Sequence, residues 1–312
     1  MNAVTEASTP HRPVLYQETI EYLAPKSSGR YIDCTAGAGG HSSGILEVSS
    51  PNGQLLAIDL DPTAVGLTRE RLLPYGKRAI VVHDSYLNAA RILQQLGWDL
   101  VDGILMDLGV SSMQLDQEER GFSFRHEAPL DMRFDPTSGP TAADLVNKLS
   151  EKDLADVIWR YGEERFSRRI AQKIVSNRPF QTTSQLADVV RSAVGHSSGR
   201  IDPATRTFQA IRIAVNDELK TVEQAIPSLI ELLKPGGRFA VISFHSLEDR
   251  LIKQAFKRES RDCVCPPEQP ICTCGHKASV KILTPRPISP SLEEIEANPR
   301  ARSAKLRVVE KK

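Results

Sequence analysis

The sequence predicts an α/β protein: a doubly wound, Rossmann-like sheet interrupted by an inserted helical domain. Three observations predict it. Short apolar runs alternate with helical segments between residues 30 and 107, the pattern of βαβ units around a parallel sheet. The first run, Arg30-Tyr31-Ile32, passes through Asp33-Cys34-Thr35-Ala36-Gly37-Ala38-Gly39-Gly40-His41 into a helix start at Ser42. From 141 to 194 helical segments follow one another without strands, and the alternation resumes at 219. These breaks divide the chain into a first core part, 1–114, an inserted helical part, 115–215, and a second core part, 216–312.

Composition narrows the class. The 312 residues are 40% hydrophobic and 25% charged, enough for one large domain or two smaller ones. No apolar run reaches ~18 residues and the start of the chain lacks an apolar h-region, so neither a membrane span nor a signal peptide is expected. A cytoplasmic location follows. The net charge of +1 gives no global pull toward nucleic acid, so any RNA contact must come from local basic patches.

Taken in order, Tyr16 to Leu23 repeats apolar residues at helical spacing and is ended by Pro25. The glycine turn after Asp33 gives the backbone positive φ and places free N–H groups at a helix start. Gln54 to Asp59 is the second strand, and its final carboxylate stands 20 residues beyond Gly39, where doubly wound folds hold a ribose. Asp61-Pro62 opens the next helix, to about Leu73. Ala79 to His83 is the third strand, followed by Asp84 and Tyr86, which are either adenine contacts or ordinary loop residues. Asp102 to Asp107 is the fourth strand. Its end leads into Leu108-Gly109-Val110-Ser111-Ser112-Met113-Gln114-Leu115-Asp116, and Asp107 either faces the reactive end of a cofactor or caps the following turn.

The inserted part begins with aromatic rings and arginines, Gly121 to Arg125 and Asp131 to Asp135, a mixture suited to stacking an extruded base or to plain packing. Helices are expected at 141–149, 151–161, 166–177 and 184–194. Arg165, Arg168, Arg169, Lys173 and Arg178 form a basic group that either binds phosphates or is a solvated face. Asp202-Pro203 caps a further helix, with Asp202 as cap and Pro203 first in the helix. After a helix from Leu219 to Leu233, Lys234-Pro235-Gly236-Gly237 reads as a sharp turn before a strand from Arg238 to Phe244. Ser246 with Asp249 resembles a capping box, and His245 falls at a strand's carboxyl end. Ser279–Leu283 and Ala304–Val309 close the sheet. Cys263, Cys265, Cys272, Cys274 and His276 crowd together and either hold a tetrahedral zinc or are reduced thiols in a loop, but Cys-x-Cys is not the usual structural spacing. No metal is assigned there, and reduced thiols are expected in a cytosolic protein.

The glycine turn selects among cofactors. Residues 33–47 contain no Lys or Arg, which disfavours a nucleoside triphosphate, and a GxGxxG pattern begun at Gly37 places Ser42 where the third glycine belongs. S-adenosylmethionine (SAM), with a ribose, an amino-acid end and no phosphate, suits the turn best.

Together D-C-T-A-G-A-G-G-H (33–41), D-G-I-L-M-D-L-G-V-S-S (102–112), R-G-F-S-F-R (120–125), P-L-D-M-R-F-D (129–135), A-T-R-T-F-Q-A-I-R-I-A-V-N-D-E-L (204–219), I-S-F-H-S-L-E-D-R (242–250) and N-P-R-A-R-S-A-K-L-R (298–307) resemble the ribosomal RNA small subunit methyltransferase H family. The resemblance implies the SAM-dependent methyltransferase version of the fold. It also implies N4-methylation of a decoding-region cytidine in 16S rRNA, with the small ribosomal subunit as partner. By the same resemblance Gly39, Gly40, His41, Asp59, Tyr86, Asp107 and Gln114 contact SAM; Tyr86 stands where the family often has Phe. Asp107 is the expected acceptor of the N4 proton, or a main-chain carbonyl of 108–112 takes that role. The alternatives are a NAD-dependent oxidoreductase, which leaves the 107–116 cluster unexplained, and a ribosome-assembly factor without catalysis. A DNA amino-methyltransferase lacks support, because Asp107 is followed by Leu108-Gly109 and not by Pro-Pro-aromatic.

Overall fold

A computed structural model describes residues 13–195, 202–269 and 271–312. The described elements are, in chain order, α1 (Tyr16–Leu23), β1 (Arg30–Asp33), α2 (Gly40–Val48), β2 (Gln54–Asp59), α3 (Pro62–Leu72), β3 (Ala79–His83), α4 (Ala89–Leu96), β4 (Val101–Asp107), α5 (Ser112–Asp116), α6 (Ala142–Lys148), α7 (Glu151–Gly162), α8 (Ser167–Val175), α9 (Thr183–Val194), α10 (Ala204–Asn216), α11 (Glu218–Glu231), β5 (Leu233–Ser243), α12 (Ser246–Glu259), β6 (Val280–Ile282), α13 (Leu292–Ala297) and β7 (Lys305–Lys311). The chain divides into two compact units, 1–59 with 63–108 and 227–312, and 60–62 with 109–226.

The first unit holds a seven-stranded sheet in the order β3-β2-β1-β4-β5-β7-β6. β1 to β5 are mutually parallel, and β7 runs antiparallel to both β5 and β6. The fold is α/β and Rossmann-like. Its central strands read as unbroken apolar runs because both faces are covered: Tyr31, Ile32, Leu55 to Ile58, Ile104 to Met106 and Phe239 to Ile242 are buried. Chain order reverses between β1 and β4, and in such sheets ligands bind beyond the carboxyl ends of the strands at that reversal.

Three local expectations are corrected. Lys234 to Gly237 is not a turn before β5 but part of it: Leu233 pairs with Val101 and Arg238 with Gly103, so the intervening residues bulge, with Gly236 at φ +78°. The capping box of α12 is formed by His245 and Glu248, one residue earlier than Ser246 and Asp249. Glu248 Oε2 accepts from the N–H of Phe244 at 2.8 Å and from that of His245 at 3.3 Å. A histidine cap serves because its Nδ1 can accept as a hydroxyl would, here from the Glu248 N–H at 3.4 Å. At α10 the cap position falls on Pro203, although Asp202 still accepts from the Ala204 N–H at 2.8 Å.

The second unit is helical around a core including Leu154, Ile158, Ile170, Ile174, Leu186, Val190 and Phe208. Its aromatic loop is packed inward. Phe122 stacks on Phe134 with centroids 5.7 Å apart, and Phe124 meets Phe208 edge-on at 4.7 Å. Arg120 is buried and donates to Asp61 Oδ2 at 2.7 Å and to the carbonyls of Arg133 and Phe134 at 3.0 and 2.9 Å. Asn216 closes the same loop, accepting from the Phe134 N–H and donating to the Met132 carbonyl, both at 2.7 Å.

A buried ion pair that loses one member leaves a costly charge behind. Arg120→Leu is therefore expected to destabilise the protein by about 3–5 kcal/mol in urea denaturation, because the Asp61 carboxylate stays buried and the Arg133 and Phe134 carbonyls lose their donor.

Candidate active site at the strand ends

The site is built from the ends of β1, β2 and β4 in the first unit. β1 and β2 lie side by side, as do β1 and β4, so Asp33, Asp59 and Asp107 finish neighbouring strands. Gly37 and Gly39 adopt φ of +54° and +75°, the left-handed region that glycine enters at low cost. This lets the chain turn at once into α2. Asp59 Oδ2 accepts from the Gly37 N–H at 2.8 Å, and the Thr68 hydroxyl donates to the Gly37 carbonyl at 2.9 Å. The turn is thus clamped from β2 and α3. Gly39 is the cap residue of α2 and supplies no side-chain hydrogen bond, so the helix opens on bare N–H groups. A Cβ on Gly40 would come within 2.4 Å of Pro13 Cγ, which explains the second consecutive glycine.

Asp33 is buried, accepting from the Ser42 hydroxyl at 2.6 Å and the Thr35 N–H at 3.2 Å. Burial pushes its pKa up to about 6, against the pull of those two donors, and Asp59 adds to the rise. The Asp107 N–H donates to Thr35 Oγ1 at 2.6 Å, tying the end of β4 to the turn. Burial holds the Asp107 carboxyl well above the usual range, and the charges of Asp33 and Glu248 push in the same direction. Its Oδ2 lies 3.6 Å from His41 Nε2, beyond direct hydrogen-bond reach. His41 is itself buried, stacks on Tyr16 with centroids 6.0 Å apart, and is driven by burial to a pKa of about 4. It is a neutral imidazole at pH 7.

These bonds tie Asp59 and Asp107 to the turn of 35–37 that leads into Gly39, Gly40 and His41 at the start of α2. Tyr86 is half-buried in a short 3-10 turn beyond β3, in the same unit. Asp84 is committed locally: it accepts from Asn88 Nδ2 and the Ser85 N–H, both at 2.7 Å, and pairs with Arg91. Gln114 lies in the second unit, buried, with Nε2 donating to Asp61 at 2.8 Å and Oε1 accepting from the Ser111 N–H at 3.1 Å. Asp33, Thr35 and Thr68 are absent from the residues chosen by sequence. Asp33 carries the same signal as Asp59 and Asp107, a carboxylate at a strand's carboxyl end, whereas nothing local marks Thr68 as a clamp.

SAM fits this donor set. Both ring nitrogens of His41 and Oδ1 of Asp107 are buried polar atoms without a hydrogen-bond partner among the described residues, an arrangement that costs free energy unless a ligand satisfies them. The surrounding charges are carboxylates, which suit a cationic ligand without phosphates.

The MraW methylase family model matches residues 8–312. The chain is 55% identical to Ribosomal RNA small subunit methyltransferase H of Dehalococcoides mccartyi, over 97% of this chain and 86% of that protein. The same-named proteins of Thermomicrobium roseum and Geotalea uraniireducens are 53% and 51% identical, covering 97% and 96% of this chain and 94% and 98% of theirs.

A folded-state pKa below the unfolded one means that the unfolded chain binds the proton more tightly. Stability carried by neutral His41 is therefore present above pH 6.5 and lost as pH falls toward 4, about 3 kcal/mol across that window. His41→Asn should flatten this acid limb when urea denaturation is repeated between those pH values. With this match along nearly its whole length and a strand-end site suited to the donor, the chain belongs to the MraW methylase family, and its cofactor is S-adenosylmethionine.

Proposed function

We propose that the protein transfers the methyl group of SAM to N4 of a cytidine in the decoding region of 16S rRNA, acting on the small ribosomal subunit in the cytoplasm. The name shared by relatives of 51–55% identity supports the rRNA substrate. The structural observation that carries the chemistry is Asp107, with its raised pKa and partnerless Oδ1. SAM supplies an electrophilic methyl group activated by its sulfonium.

The chain's own residues provide position and a proton acceptor. Asp59 would hold the ribose hydroxyls, and Tyr86 would hold the adenine, when the cofactor is bound. Gly39 and Gly40 let the ligand approach the main chain at the start of α2, and His41 contributes a neutral ring that does not repel a cation. Gln114 is assigned to the cofactor on the resemblance alone. The lone pair of cytosine N4 is delocalised into the ring, so the amine becomes nucleophilic only as its proton acquires an acceptor. Asp107 fills that role, and its raised pKa makes it a stronger base than an ordinary carboxylate. Alignment of the two reactants supplies the larger share of the barrier reduction, ~7–11 kcal/mol.

The RNA face is assigned to α8 of the second unit. Arg168, Arg169 and Lys173 are exposed on it, with no ion pair among the described residues. Arg178 donates instead to the Leu149 carbonyl at 2.6 Å, and the loop rings at Phe122, Phe124 and Phe134 are occupied in packing.

Labelled methyl transfer to small subunits and to naked 16S rRNA, followed by nucleoside analysis, tests the reading; N4-methylcytidine is the expected product. Asp107→Asn should lower kcat by ~10²–10⁴-fold, a far larger effect than the weakening of SAM binding measured by calorimetry. In the wild type the rate should rise with pH through a limb above the ordinary carboxylate range, since the base works only when ionised. Normal turnover in the variant would refute the role of Asp107.

A further inference from the structure

We propose that Cys263, Cys265, Cys272 and Cys274 bind one structural Zn²⁺ ion that pins the connection between α12 and β6. The four sulfurs lie within 4.8 Å of one another. Cys265 and Cys272 are 4.0 Å apart, Cys272 and Cys274 3.5 Å, and Cys274 and Cys263 3.9 Å. A tetrahedral zinc with Zn–S bonds of ~2.3 Å has sulfur–sulfur edges of ~3.8 Å. The observed separations match those edges and are nearly twice the ~2.05 Å of a disulfide.

The two Cys-x-Cys arms are built as knuckles. The Cys265 N–H points back at Cys263 Sγ at 3.4 Å, backbone N–H groups of Val264 and His276 face the Cys274 sulfur, and that of Thr273 faces Cys265. Such donors stabilise sulfur carrying negative charge. Gly275, at φ +62° with open space around it, reverses the chain after the second arm. His276 is not needed as a ligand, because its Nε2 lies 3.0 Å from the Arg258 carbonyl. Four soft thiolates in a tetrahedral array select zinc over hard cations, and Arg258, Arg261 and Lys277 nearby in the chain offset the double negative charge of the loaded site.

The connection needs such a pin. From 260 to 279 the described residues contain no helix or strand, and structureless segments of this length are uncommon in compact domains. Its base is closed by the Ser279 N–H donating to the Glu259 carbonyl at 2.8 Å, and the sulfur cluster closes its tip. Spacing alone misses the site because the usual rule asks for two or more residues between paired cysteines. One residue suffices here since the first arm folds back on its own Cys265 N–H···Sγ contact with Cys263, and backbone N–H groups of each arm face a sulfur of the other.

The full chain, purified under reducing conditions without chelator, should contain one zinc per chain by elemental analysis, released stoichiometrically by a mercurial reagent. Reconstitution with Co²⁺ alone should give the intense thiolate-to-metal charge-transfer band of a tetrahedral tetrathiolate site. Cys263→Ser and Cys274→Ser should lose the zinc, whereas His276→Ala should keep it. Chelation of the wild-type protein should open 260–279 to limited proteolysis, a readout that does not depend on a variant folding. Reduced protein that retains no zinc and gives no Co²⁺ band, iron in place of zinc, loss of metal in His276→Ala, or paired disulfides by mass in the reduced preparation would each overturn the assignment.

Discussion

Three carboxylates end neighbouring strands of one sheet, and two of them are held at raised pKa with no cation among the described residues to neutralise them. That constraint organises the first unit. Asp33 accepts from Ser42 and Thr35, Thr35 accepts from the Asp107 N–H, and Asp59 accepts from Gly37. One short network therefore fixes the glycine turn, the helix start and the strand ends together. Burying acidic groups beside one another costs stability unless something positive arrives. On the proposed reading, a ligand with a sulfonium and an ammonium would relieve that cost on binding, so the strain in the free protein would become affinity for the donor.

Much of this was legible in the sequence, for reasons that can be named. The strands from 30 to 107 are apolar runs because they are buried on both faces, and a run that ends in Asp announces both its length and its polar end. Gly37 and Gly39 are legible because few other residues enter their backbone region cheaply. What the sequence concealed depends on partners far away in the chain. Arg120 reads as part of a basic aromatic loop until Asp61, 59 residues earlier, is seen to take its guanidinium. Phe124 reads as a base-stacking ring until Phe208 is found against its edge. His245 was conspicuous at a strand end, but its identity as a helix cap needed the backbone direction at Glu248.

The second unit illustrates how a loop of apparent binding residues can be a folding device. Arg120, Asn216 and the paired rings of Phe122 and Phe134 hold 120–134 against the helical core. Arg168, Arg169 and Lys173 of α8 stay exposed, with no ion pair among the described residues. On the proposed reading, a near-neutral chain that binds RNA through so few charges would rely on the shape of its target more than on general attraction.

The central claim is electrostatic, and a titration of the carboxyl carbons of Asp33 and Asp107 by ¹³C NMR, with and without SAM, tests it most directly. The account predicts a midpoint for Asp33 of about 6, one for Asp107 well above the ordinary carboxylate range, and a fall in both when SAM binds. Ordinary midpoints near ~4, unmoved by the ligand, would contradict it.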